Sequence, residues 1–176
     1  MDAEESFLAY VRERVAALSR IAFLLTGDRH LAEDLVQETL LRVVGRWGRI
    51  AAGGDPDAYV RRALYHQHVS AWRRHRGRTE RLETHPERAG PDEAGAVTDS
   101  LAVRAALATL APRQRAVIVL RYFEDLTEAQ TADVLGCRVG TVKSQTRDAL
   151  ARLRKVAPGL LSETAEQEPS RAEARR

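Results

Sequence analysis

Residues 127–155 read TEAQTADVLGCRVGTVKSQTRDALARLRK, and the fold is decided here. Thr127 is a helix-capping residue with Gln130 three positions on, the spacing of a capping box. Ala132, Val134 and Leu135 give the short helix an apolar side, and Gly136 is placed to end it. A longer pattern begins near Val139, where Val139, Val142, Ala149, Leu150 and Leu153 recur close to the 3.6-residue helical period. The small Ala132 lets the two helices cross closely. A short helix, a glycine turn and a long basic helix make a helix-turn-helix layout.

Charge on the second helix extends the reading. Gly140, Lys143, Ser144 and Arg147 fall opposite the apolar stripe, flanked by Thr141 and Gln145. Arg152, Arg154 and Lys155 continue the basic character against one acid, Asp148. Short polar and basic side chains near a helix N-terminus suit the major groove, and later cations reach phosphates. By itself the pattern also fits a solvated amphipathic helix in an ordinary bundle, so the rest of the chain has to decide.

With 176 residues the chain is long enough for one domain or two small ones. Aromatic residues make up 5% and charged residues 30%, so each core is expected to be modest and built from Leu, Val and Ala. The formal net charge is +3, and its distribution matters more than its total. Lone Cys137 excludes an internal disulfide and a cysteine metal cluster. The sequence contains no early apolar signal and no run long enough to span a bilayer, so a cytoplasmic location is the expectation.

Upstream, residues 4–25 place Phe7, Val11, Val15, Leu18, Ala22 and Leu25 at steps of three and four, an amphipathic helix ended by Thr26-Gly27-Asp28. The next block, DRHLAEDLVQETLLRVVGRW (28–47), carries a stripe of Leu31, Leu35, Val36, Leu40, Val43 and Trp47. Opposite it gather Glu33, Asp34, Gln37 and Glu38. Acids at a helix start offset the macrodipole, but Gln37 and Glu38 lie too far along for that. An acidic, hydrogen-bonding face suits a basic protein partner better than DNA. Gly48 to Asp57 reads as a loop.

The helix expected from Ala58 to about Arg76 turns Val60, Leu64, Val69 and Trp72 inward. Six arginines (61, 62, 73, 74, 76, 78) and no acid lie between Tyr59 and Arg78, interleaved with Tyr59, Tyr65 and Trp72. Cations hold phosphates while rings stack on unpaired bases, which is what a single strand needs. A cationic helix with buried aromatics is the competing reading. Residues 79–99 reverse the composition: acids outnumber bases, Pro86 and Pro91 interrupt, and apolar residues are scarce, the features of a linker. After it, Leu101, Val103, Leu107 and Leu110 mark another helix. Pro112 opens the next, expected to bury Ala116, Val117, Leu120 and Phe123. The expectation is an all-α chain with helical units at 4–78 and 100–157, a flexible linker at 79–99 and a polar tail at 158–176.

AEDLVQETLLRV, YVRRALYHQHVSAWRRHR and LAPRQRAVIVLRYFEDLTEAQTADVLGCRVGTVKSQTRDALARLR, in that order, resemble a bacterial extracytoplasmic-function (ECF) RNA polymerase sigma factor of the short actinobacterial SigE-like group. The likeness covers about residues 4–156. It implies that Asp34, Gln37 and Glu38 dock on the β′ clamp helices of core RNA polymerase, with the β flap as a second contact. It implies that Arg61, Arg62, Tyr65, His66, Gln67, Trp72, Arg73 and Arg74 melt and hold the −10 element of promoter DNA. Tyr65-His66-Gln67 then match the segment that receives an extruded base. Arg138, Thr141, Lys143, Ser144, Arg147 and Arg152 become the −35 readers. An anti-sigma factor is a further candidate partner.

Two positions depart from the family pattern. His66 stands where Asn is usual, and Asp148 where a basic residue is usual, with Arg147 one place aside. A helix turns about 100° per residue, so that cation projects differently. The alternatives are a stand-alone helix-turn-helix transcriptional regulator, a sigma-like adaptor without promoter function, or an enzyme. Against the last, His66 and His68 diverge on a helix and neither a Gly-rich phosphate loop nor a nucleophile elbow is present. No catalytic residue, metal or cofactor is expected.

Overall fold

A computed structural model describes residues 2–76 and 96–158, with backbone alone at 72–76 and 96–101. Residues 79–95 of the expected linker, most of the tail and the side chains of Trp72, Arg73 and Arg74 lie outside the described residues, whereas 96–99, expected as linker, are the helical start of the second unit. Among the described residues every regular element is helical: α1 (Ala3–Thr26), α2 (Arg29–Val44), α3 (Trp47–Ala52), α4 (Pro56–Arg76), α5 (Ala96–Ala108), α6 (Pro112–Ile118), α7 (Glu128–Leu135) and α8 (Val139–Val156).

The ends of these helices follow from local chemistry. Asp2 and Glu5 form a reciprocal capping box on α1. Gly27 closes that helix at φ 73°, a left-handed conformation that costs a residue without Cβ little. Asp28 then accepts from the Leu31 amide at 2.8 Å and starts α2. Pro112 occupies the first turn of α6 as expected. Thr127 and Gln130 complete the capping box of α7, and Gly136 ends it at φ 60°.

The first four helices enclose Leu18, Ile21, Ala22, Leu25, Leu35, Val36, Val43, Val60 and Leu64. Trp47 seals one end, its ring 5.2 Å from Phe7 and 4.8 Å from Tyr10, with Nε1 donating to Ser6 Oγ at 3.2 Å. This corrects the loop expected at Gly48 to Asp57. Burying Trp47 and Ile50, three residues apart, winds the segment into α3 despite its glycines. Two expected core positions are also corrected. Leu31 is 53% exposed and Val15 36% exposed, because Ala32 and Thr39 on α2 and Ile21 on α1 take the inward positions.

The second unit is built round the end of α6 and the turn after it, where Ala116 to Leu120 are buried in succession. A helical stretch apolar all round needs neighbours on every side, and residues 116–120 have them. Val117 packs with Ala132 and Val142 of the helix-turn-helix. Ile118 joins Leu107, Leu110, Ala149 and Leu153. Ala116, Val119 and Leu120 join the core of the first four helices. The two helical units therefore share a core, a contact the sequence does not disclose. Beyond Ile118 the helix widens into a π-helical turn, Val119–Phe123, closed by the Glu124 amide on the Val119 carbonyl at 3.0 Å. That change of register leaves Phe123 46% exposed, where steady helical periodicity would bury it.

Candidate functional site

Three surfaces carry the side chains singled out in the sequence. On α2, Asp34, Gln37 and Glu38 are exposed, and Leu41 at 74% and Val44 at 45% lie beside them. Positions 34, 37, 38 and 41 follow the i, i+3, i+4, i+7 spacing of one helix face. Leu41 and Val44 escaped the sequence reading because exposed and buried leucines look alike in a period count. The sign available was their position outside the Leu35-Val36-Val43 stripe. Glu38 also accepts a hydrogen bond from Gln67 Nε2, which links this face to α4.

On α8, Thr141, Lys143, Arg147 and Arg152 are exposed, Arg138 precedes the first turn, and Ser144 is half-buried with its hydroxyl on the Thr141 carbonyl at 3.0 Å. Val142, Ala149 and Leu153 hold the opposite side in the core. Val139, expected with them, is 39% exposed as the first residue of the helix. Lys143 reaches Glu128 of α7 at 3.7 Å, and Arg147 pairs with Asp148 at 3.1 Å. Asp148 thus engages its neighbour's guanidinium, which stays exposed.

The α4 residues behave differently. Arg62 and His66 are exposed, but Tyr65 is fully buried and Gln67 is 2% exposed. Tyr65 lies in the core that Ala116, Val119 and Leu120 share with the first four helices, and Gln67 is bonded to Glu38 of α2. Arg61 is held between Asp57 of its own helix (2.9 Å) and Glu124 after the π turn (2.8 Å). Burial works against its charge, yet the Glu124 hydrogen bond and the Asp57 carboxylate outweigh it and raise its pKa. Tyr10 Oη donates to the same Asp57 at 3.1 Å. Arg62 faces Asp133 of α7 at 3.9 Å. A Cβ placed on Gly136 would meet His66 Cε1 at 3.5 Å.

Next to this contact lies His68, 9% exposed. Burial, and then the positive Arg115, push its pKa down to about 4, against an opposing hydrogen bond to the Pro112 carbonyl. Arg115 of α6 crosses between the units, its Nη1 donating to the Leu25 carbonyl at 2.8 Å. It thereby satisfies one of the carbonyls left open at the end of α1. Arg104 of α5 lies 5.1 Å above the Phe23 ring.

Among the described residues no three His, Cys, Asp or Glu side chains gather to hold a metal ion, and no helix is long and apolar enough to cross a membrane. The arrangement offers surfaces to macromolecules: one acidic and apolar, one basic and exposed, one basic and aromatic but partly covered.

Comparison with known proteins bears on which macromolecules. Residues 10–78 match the sigma-70 region 2 family and residues 100–153 match sigma-70, region 4. The RNA polymerase sigma-E factor of Streptomyces avermitilis is 40% identical over 149 residues, covering 85% of this chain and 83% of that protein. The ECF RNA polymerase sigma factor SigL of Mycobacterium tuberculosis is 38% identical over 151 residues, 81% of this chain and 83% of its own length. Among solved structures, the Bartonella quintana sigma factor RpoE, crystallised with the anti-sigma factor NepR, superposes with a TM-score of 0.70 at 25% identity, over 88% of this chain and 98% of that one. Two ordered family matches, relatives of this identity along most of the chain and an all-helical structure of the same architecture together place the protein in the sigma-70 family, among the extracytoplasmic-function RNA polymerase sigma factors.

Proposed function

We propose that this chain is a dissociable promoter-specificity subunit whose three surfaces act on polymerase, strand and duplex in turn. Residues 4–78 dock on core RNA polymerase and capture the −10 element; residues 100–157 read −35; residues 79–99 tether them, and 158–176 form a polar tail. The observation that carries this is the segregation of surfaces, with an acid-apolar face on α2 and an unobstructed basic face on α8.

Asp34, Gln37, Glu38 and Leu41 present carboxylates and an amide round an apolar centre, complementary to a basic helical partner such as the β′ clamp helices, with the β flap engaging the second unit. Arg61, Arg62, Arg73 and Arg74 hold strand phosphates while Tyr65, His66, Gln67 and Trp72 take unpaired bases. Arg138, Thr141, Lys143, Ser144, Arg147 and Arg152 meet the −35 duplex, short side chains toward base edges and distant cations toward phosphate. Transcription chemistry then belongs to the polymerase, and the chain supplies binding and selection without cofactor or metal. Its working compartment is the cytoplasm, where polymerase and chromosome are. An anti-sigma factor, as accompanies the Bartonella relative, is the natural negative regulator. A stand-alone regulator would leave the α2 face and the arginine-rich α4 without a task.

Core-polymerase binding tests this. Wild-type protein should form a stable complex with core enzyme, and Leu41→Asp should weaken it about tenfold, the size of loss expected at the centre of an interface. Leu41 is exposed, so folding should be unchanged by circular dichroism. Equal binding by both proteins would remove α2 from the docking surface, and no binding by either would remove the function.

A further inference from the structure

Gln67 brings a polar group to a helix contact that is otherwise apolar. Val60, Leu64 and Gln67 lie at i, i+4 and i+7, on one face of α4. The first two sit in the core with Leu35, Val36 and Val43 of α2. Gln67 continues that face at 2% exposure, and its Nε2 donates to a carboxylate oxygen of Glu38. Glu38 is exposed among Asp34, Gln37 and Leu41, on the face assigned to polymerase. Gln67 follows His66, which is exposed on the helix assigned to the strand. One hydrogen bond therefore ties the docking face to the residue beside the base reader.

We infer that Glu38 and Gln67 are positioning residues that fix the rotation of α4 against α2, and so determine which base His66 selects at −10. This rests on α2 docking to polymerase and α4 capturing the strand. It narrows the part of Gln67 in base capture to one a buried side chain can play, holding its neighbour rather than meeting the base.

Apolar burial is non-directional, so Val60 and Leu64 alone tolerate small rotations of α4 about its axis. A bond from an amide to a carboxylate is directional and charge-assisted, and tolerates less. Successive helical residues point about 100° apart, so holding Gln67 inward holds His66 outward. A carboxylate has about four acceptor sites, which lets Glu38 receive a donor from a basic partner while it keeps the bond from Gln67. The docking face and the base reader then share one frame, and the place of the captured base is set relative to polymerase.

The test uses the full chain with core RNA polymerase, transcribing a promoter library randomised at −10. Selectivity, the ratio of transcripts between −10 bases, does not depend on how much polymerase is bound, so a loss of docking or of stability alone leaves it unmoved. Gln67→Glu sets two carboxylates together and should lower selectivity about tenfold, and Glu38→Gln about threefold. The exchange Glu38→Gln/Gln67→Glu keeps one amide and one carboxylate with their places swapped, and should restore selectivity for the same base to within about twofold of wild type. Circular dichroism checks that each variant is folded. Gln67→Met removes the donor, keeps the volume and should cost about threefold, so it decides the matter if Gln67→Glu does not fold. Unchanged selectivity in folded Gln67→Met, or losses that multiply in the exchange, would overturn the proposal. A base preference altered by Gln67→Glu and still altered in the exchange would overturn it too, by making Gln67 a direct reader. Wild-type protein that adds no transcripts to core polymerase would overturn it through the assignments of α2 and α4, a failure told apart by its appearance before any substitution.

Discussion

His68 shows what burial does to a single side chain in this molecule. Its pKa, near 6.5 in water, is pushed down to about 4 by desolvation and by Arg115. The closed protein therefore prefers the neutral imidazole, while an opened or unfolded chain takes up a proton near 6.5. Stability from this site is complete above about pH 6.5 and is lost as pH falls toward 4. Between pH 7 and 5 the loss is about 2 kcal/mol. Urea unfolding should show wild type losing that much more over this range than His68→Gln. An equal fall in both proteins would show that His68 stays accessible to protons. Gly136 is the other residue with a defined cost. Its φ of 60° strains any side chain, whereas an added methyl would only touch His66. Gly136→Ala should lower unfolding stability by about 1 kcal/mol.

At the scale of elements, the capping chemistry of α7 predicts a loss of similar size. The Gln130 amide donates to Thr127 Oγ1 at 3.2 Å and the Thr127 amide to Gln130 Oε1 at 2.8 Å. Thr127→Ala should cost about 1 kcal/mol in denaturant unfolding, and Thr127→Ser should retain most of it. These two helices, with their cap, turn glycine and stripe, were legible in the sequence because each signal is local. The same holds for α1 and α4 and for the acidic residues of α2. What escaped was set by tertiary packing: α3 exists because Trp47 and Ile50 have a core to enter, and Phe123 is exposed because the π turn shifts its register. Val15, Leu31 and Val139 fit their periodic stripes but are exposed in the packed structure.

For the whole molecule, order along the chain announced two helical units and the polymerase, −10 and −35 assignments, since three motifs in sequence carry the family likeness. Their closure on each other was not legible. Arg61 and Glu124 are 63 residues apart and Arg115 and Leu25 are 90 apart, and nothing local in either partner marks the other. Tyr65 and Gln67, proposed to take unpaired bases, are buried in the packed structure. Under the proposed roles, His66 in place of an amide and Asp148 paired with Arg147 would make base preference at both elements particular to this chain.

The central claim is that this protein gives core polymerase a promoter choice it otherwise lacks. Transcription in vitro from a library randomised through the −10 and −35 regions, with core polymerase alone and with the protein added, measures that choice directly. The account predicts protein-dependent transcripts whose templates converge on two separated sequence elements, with the −35 element altered by Arg147→Ala. Transcripts no more abundant or selective than those from core polymerase alone would contradict it.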